Sequence, residues 1–108
     1  MSKLRTKSIK IIKILSSKYR LFFTRNLKDK NSKLYGKASL DHAKIKIVDA
    51  YPAMRQNQTI VHEVLHAITD EVGIELPEMT IEKMGGGFYA FLIDNKKLIR
   101  KILKEEAV

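Results

Sequence analysis

Cysteine is absent from all 108 residues, so neither a disulfide nor a thiolate metal site can form, and any metal must be held by His, Asp or Glu. Stability then has to come from packing, and the thiol-free composition fits a reducing cytoplasm. Proline and glycine are scarce, two and five residues, while 44% of the chain is apolar. That balance belongs to an ordered globular chain of one domain over residues 1–108, with a small core. Long apolar runs are missing too. The best of them near the start, residues 9–15, is interrupted by Lys10 and Lys13, too short and too charged for a signal-peptide core or a membrane span. The expectation is a cytoplasmic protein that does not engage a membrane.

Acid is lacking where the chain begins. Residues 1–28 hold nine Lys or Arg and no Asp or Glu, so the whole net charge of +9 sits in that quarter. Such a block suits a nucleic acid, an anionic membrane or an acidic protein partner, although a solvated basic surface on an ordinary sheet has the same composition. Base is lacking further on. Between residues 56 and 82 there are six carboxylates, Glu63, Asp70, Glu71, Glu75, Glu78 and Glu82, and no Lys or Arg. A locally acidic segment suits cation capture, and acidic helix faces also occur without one.

The hydrophobic pattern predicts an α+β chain. Residues 1–7 read as a flexible basic lead. Residues 9–15 and 19–24, rich in β-branched and aromatic side chains, make one hairpin around Ser16-Ser17-Lys18. The polar stretch 26–33 reads as a loop. Residues 34–39 and the alternating Lys44-Ile45-Lys46-Ile47-Val48 make a second hairpin across an Asp41-His42 turn. The sheet over residues 9–48 is therefore expected to be small and antiparallel, with three or four strands. Tyr51-Pro52 breaks the chain, and residues 54–104 form the helical part. Its first helix covers residues 56–72, free of Pro and Gly, and Gly73 stops it. A second helix starts behind Pro77 and runs from 78 towards 95, and a basic one covers 96–104. Gly85-Gly86-Gly87 in the second helix implies either a break or a close approach to the first helix.

The chemistry-bearing stretch is His62-Glu63-Val64-Leu65-His66, a His-Glu-x-x-His (HExxH) sequence inside the first helix. Histidines four apart lie about 40° apart around a helix axis, so both imidazoles can reach one ion while Glu63 serves as general base. Ile60, Val61, Val64, Leu65, Ile68 and Val72 form the apolar stripe, and His62, Glu63, His66 and Asp70 are expected opposite it. The bland alternative is a pair of histidines decorating a solvated face. A tetrahedral site needs a third protein ligand, and Glu82, early in the second helix, is the first choice. Asp70, one turn past His66, is a second candidate and could instead orient a ligand imidazole. Glu71, Glu75 and Glu78 read as weaker candidates, His42 as a structural or exposed histidine, and Tyr89 as a candidate oxyanion donor.

Together with Gln58-Thr59-Ile60-Val61 ahead of the motif, Ile81-Glu82-Lys83-Met84 and Phe88-Tyr89-Ala90-Phe91-Leu92-Ile93-Asp94-Asn95 behind it, and Lys44-Ile45-Lys46-Ile47-Val48, the chain resembles small zincin-like proteins of phages and prophages. These are similar to minimal ImmA/IrrE-type zinc metallopeptidase domains. The resemblance covers roughly residues 9–95. It implies a short sheet ahead of the metal helix, zinc as cofactor, His62 and His66 as ligands, Glu63 as catalytic glutamate and Glu82 as distal glutamate. It also implies a protein or peptide substrate, in some members a repressor-type regulator. The interval from His66 to Glu82 is shorter than in full-length peptidases, and Thr69 and Val72 stand where metzincins carry Gly and His. Two functions follow as expectations: a zinc-dependent metallopeptidase of a mobile element, or a non-catalytic, zinc-stabilised binding module that uses its basic N-terminal quarter to contact nucleic acid or an acidic protein.

Overall fold

The computed structural model describes residues 9–29 and 32–105. The basic lead expected over residues 1–7 lies outside them. Four strands form one sheet in the order β1-β2-β6-β5: β1 (Ile9–Ile14), β2 (Ser17–Thr24), β5 (Gly36–Ser39) and β6 (Lys44–Val48). Between β2 and β5, the stretch expected as a loop carries two short paired strands, β3 (Lys28–Asp29) and β4 (Ser32–Lys33). Three helices follow, α1 (Ala53–Val72), α2 (Glu78–Asp94) and α3 (Lys96–Leu103).

Both expected hairpins form, β1 with β2 and β5 with β6. They join differently from the antiparallel sheet expected, because β2 and β6 run parallel. Alternation in a strand fixes which side chains face the core but carries no information on direction. The two strands with the most apolar inner faces, Tyr19, Leu21 and Phe23 on β2 and Ile45 and Ile47 on β6, take the centre, and Lys-bearing β1 and short β5 become edges.

The core lies between one face of this sheet and α1. Ile14, Tyr19, Leu21, Ile45 and Ile47 meet Ala67, with Ile60, Val64 and Ile68 alongside. Tyr19 is buried, and its hydroxyl donates to Glu71 at 3.3 Å. Burial, and then the negative charges of Glu71 and Asp70, raise the phenol pKa. Glu71 is thus engaged at the end of α1 rather than beside His62 and His66.

Gly73 ends α1 with φ of 78°, its N–H donating to Asp70 and the N–H of Ile74 to Thr69, the paired bonds of a Schellman motif. Through the three glycines α2 continues unbroken. A Cβ at Gly85 would sit 3.5 Å from Leu65 Cδ1 and 3.6 Å from His62 Cα, so close packing on α1 is realised there, whereas Gly86 and Gly87 face open space. Among the described residues no helix is long and apolar enough to cross a membrane.

Two opposite responses to glycine replacement follow. Gly86→Ala with Gly87→Ala should raise stability by about 1–2 kcal/mol in urea denaturation, since the helix gains propensity at no steric cost. Gly36→Ala should lower it by about 1–3 kcal/mol, because its Cβ would come within 2.6 Å of Thr59 Cγ2 and 2.9 Å of the Lys46 carbonyl oxygen. Equal effects of the two changes would contradict the packing described.

Candidate metal centre

Helical spacing brings His62 and His66 together on the flank of α1 that faces α2. Their Nε2 atoms lie 3.2 Å apart, with ring centroids at 4.9 Å. The first residue of α2 completes the group: Glu78 Oε2 is 2.9 Å from His62 Nε2, and Glu78 Oε1 is 2.9 Å from His66 Nε2. These are the residues whose donor atoms could hold one metal ion.

The third carboxylate therefore comes one turn earlier than the expected Glu82. The reason is the connection. From His66 to Val72 the helix rises about 9 Å, and the five residues 73–77, when extended, can span about 16 Å. The chain is already back beside His66 when α2 starts, so Glu78 needs no further helical turn to reach it. Glu82 lines the same cleft without joining the group. Asp70 is exposed, and neither it nor Tyr89 lines the cleft; His42 is exposed in a short 3-10 turn. Glu78 could have been favoured from sequence by counting linker reach rather than helical faces.

The donor set fits an ion. Four atoms, the two Nε2 and the two Glu78 oxygens, stand 2.9–3.2 Å from their neighbours, a spacing satisfied either by imidazole N–H groups donating to the carboxylate or by a cation held among them. A tetrahedral ion with bonds of 2.0–2.1 Å separates its ligands by about 3.3 Å, close to the spacing found. Two imidazoles and a carboxylate suit zinc, and iron, manganese or nickel as well.

Glu63 is placed differently from the expectation that set it opposite the apolar stripe. It lies on the buried line of α1, between Thr59 and Ala67, with 8% of its surface exposed. Burial raises its pKa; the two histidines lower it, Glu78 raises it, and an N–H from Ala38 on β5 lowers it, with a net upward shift. Val48 donates to the Tyr35 carbonyl at 2.9 Å, and the alternation of an antiparallel ladder then turns the amides of Gly36 and Ala38 away from β6. The Ala38 amide that holds Glu63 is one of these outward groups.

The cleft has a volume of about 390 Å³ and is lined by His62, Glu63 and Glu78, by Tyr35 and Gly36 of the sheet edge, and by Gly85 and Gly86 of α2. Arg55 closes one end, its guanidinium 4.5 Å from the centroid of Tyr35, which packs edge-on against Tyr51 at 4.7 Å. Comparison with known protein families, with curated proteins and with solved structures found no match.

The two glutamates separate cleanly by experiment. Glu78→Gln should weaken zinc binding at least tenfold in a chelator competition, and His66→Ala should abolish stoichiometric binding. Glu82→Gln should change affinity by less than about threefold. A greater loss from Glu82→Gln than from Glu78→Gln would move the third ligand along the helix.

Proposed function

We propose that the chain is a zinc-dependent metallopeptidase of a phage or other mobile element, acting in the cytoplasm on a protein or peptide substrate such as a repressor-type regulator. The observation that carries this reading is the convergence of His62, His66 and Glu78 within hydrogen-bond distance of one another, beside the buried carboxylate of Glu63. In it, His62, His66 and Glu78 hold the ion. When bound, the ion supplies Lewis-acid chemistry, making water more acidic and a carbonyl carbon more electrophilic.

Glu63 supplies the proton transfer. A general base works best when its pKa lies near the working pH, and burial moves this carboxyl upward from the ordinary carboxylate range. The Ala38 amide lies on the sheet side of this carboxylate and favours its charged form. After accepting a proton from water, the same oxygen can return it to the leaving amine, which keeps the proton count balanced over a hydrolytic cycle.

The sheet edge favours a peptide over a smaller carbonyl compound. Gly36 presents outward backbone groups and lines the cleft, while the outward amide of Ala38 is directed at Glu63. An extended peptide can hydrogen-bond to such an edge.

Glu63→Gln should retain zinc at wild-type stoichiometry and lose hydrolysis by about 10²–10⁴-fold, read by mass spectrometry of an undirected peptide mixture incubated with each protein. Undiminished cleavage by metal-loaded Glu63→Gln would sink the assignment of Glu63. An absence of wild-type cleavage across the mixture, with zinc bound, would leave the ion a purely structural part and overturn the peptidase reading.

A further inference from the structure

All the helical packing on the sheet comes from one side. The core residues Ile12, Ile14, Tyr19, Leu21, Phe23, Ala38, Ile45 and Ile47 alternate inward towards α1, so the positions between them point to the other face. The register sets these outward residues in rows: Lys13 beside Lys18; Ile11, Arg20, Lys44 and Ser39 across all four strands; then Phe22, Lys46 and Lys37. The four strands contain seven Lys or Arg and no Asp or Glu. None of these cations forms an ion pair among the described residues.

This face concentrates charge at a cost to the fold. Lys13 stands directly across from Lys18, and Lys37 directly across from Lys46; like charges at opposed cross-strand positions are destabilising. With neighbouring strands about 4.8 Å apart, the array needs anions spread over a surface. In the row with Lys46 and Lys37 lies Phe22, half-buried, with the Arg20 guanidinium over its ring 5.9 Å from the centroid, so a planar cation and an aromatic ring form one stacked pair on this face.

We propose that the open face of the sheet binds single-stranded nucleic acid, its phosphates paired with Lys13, Lys18, Arg20, Lys37, Lys44 and Lys46 and a base stacked on Phe22. Positive grooves or faces that carry stacking rings are how single strands are held without sequence preference. A flat four-stranded surface does not enter a duplex groove as a helix or two-stranded ribbon does. Ile11, 61% exposed, and Phe22 are the large apolar side chains in these rows, set among six cations, so the face is dominated by charge rather than by the broad apolar side with which an amphipathic element enters a bilayer. The charges come from strands spread over residues 9–48, not from the N-terminal quarter alone. The face lies on the side of the sheet away from α1, so the inference is independent of the metal centre.

The test uses the full chain and a fluorescein-labelled 15-nucleotide oligo-dT, followed by anisotropy from 50 to 300 mM salt. The logarithm of affinity should fall against the logarithm of salt with a slope of about −3 to −4, as for four to six neutralised phosphates on a single strand. Arg20→Gln with Lys46→Gln should weaken binding at least tenfold and flatten the slope by about 1.4. Phe22→Leu, which leaves the charge alone, should weaken binding at least fivefold at unchanged slope, while Phe22→Tyr binds as wild type. Lys97→Gln with Lys101→Gln on α3, of equal charge change, should alter affinity less than twofold. Thermal melts verify that each variant folds; if Phe22→Leu does not, the slope change in Arg20→Gln/Lys46→Gln decides. The proposal fails if no binding occurs at 50 mM salt, or if the sheet variants bind as wild type while neutralising Lys3, Arg5 and Lys7 abolishes binding. It fails equally if duplex DNA or anionic phosphatidylserine vesicles compete as well as oligo-dT and Phe22→Leu is silent.

Discussion

The contact on which the other features depend is the seating of α1 against the sheet along Thr59, Glu63 and Ala67. Ala67 is fully buried against the core, and Thr59 lies so close to Gly36 that no side chain fits between them. Between these two apolar contacts sits a carboxylate. A buried charge is costly unless hydrogen-bonded or neutralised, and Glu63 has both an amide from Ala38 and two imidazoles nearby. The same seating turns His62 and His66 to the flank where α2 arrives. Packing thus fixes the roll of the helix, and the roll fixes the chemistry.

Much of this was legible in the residues. The end of α1 at Gly73, the start of α2 behind Pro77 and both hairpins follow from periodicity and from Gly and Pro placement, whereas α1 starts at Ala53, directly behind Pro52 and three residues ahead of the expected 56. The pairing of His62 with His66 follows from the helical period alone. What was not legible depends on how elements meet. The parallel join of β2 to β6 is a matter of which apolar faces claim the centre of the sheet, and periodicity is the same for either direction. Glu63 was expected away from the apolar stripe because it is charged, yet its neighbours four residues on either side, Thr59 and Ala67, are small enough for β5 to approach. Small residues mark close approach as surely as large apolar ones mark burial. Helical faces alone favour Glu82; the short reach of the 73–77 linker is what places Glu78 beside the histidines.

Charge is segregated between the strands of the sheet and the stretch of helix that carries the histidine cluster. The strands of the sheet carry Lys and Arg without acid, and the stretch from residue 56 to 82 carries acid without base. Separation of this kind raises the field on each side rather than cancelling it at the surface. On the helical side the field favours cations at the histidine cluster; on the open side of the sheet it favours polyanions. Mixing the charges would have served solubility equally well while weakening both.

The attachment of α2 ties the cluster to stability. Only Ile81 and Gly85 of this helix are buried, while Met79, Met84, Phe88, Phe91 and Ile93 are exposed. Gly85 gives the helix a close seat on α1, but one isoleucine and one glycine offer little apolar area to hold seventeen residues. The Glu78 contacts with His62 and His66 supply a second fastening at the start of the helix. In that position an ion bridging the three side chains would be a crosslink between α1 and α2 as well as a reactive centre, and its binding energy would add to folding stability by mass action. The exposure of Glu78, 67% at the side chain, leaves that fastening open to solvent, so the ion and any substrate would reach it by the same route.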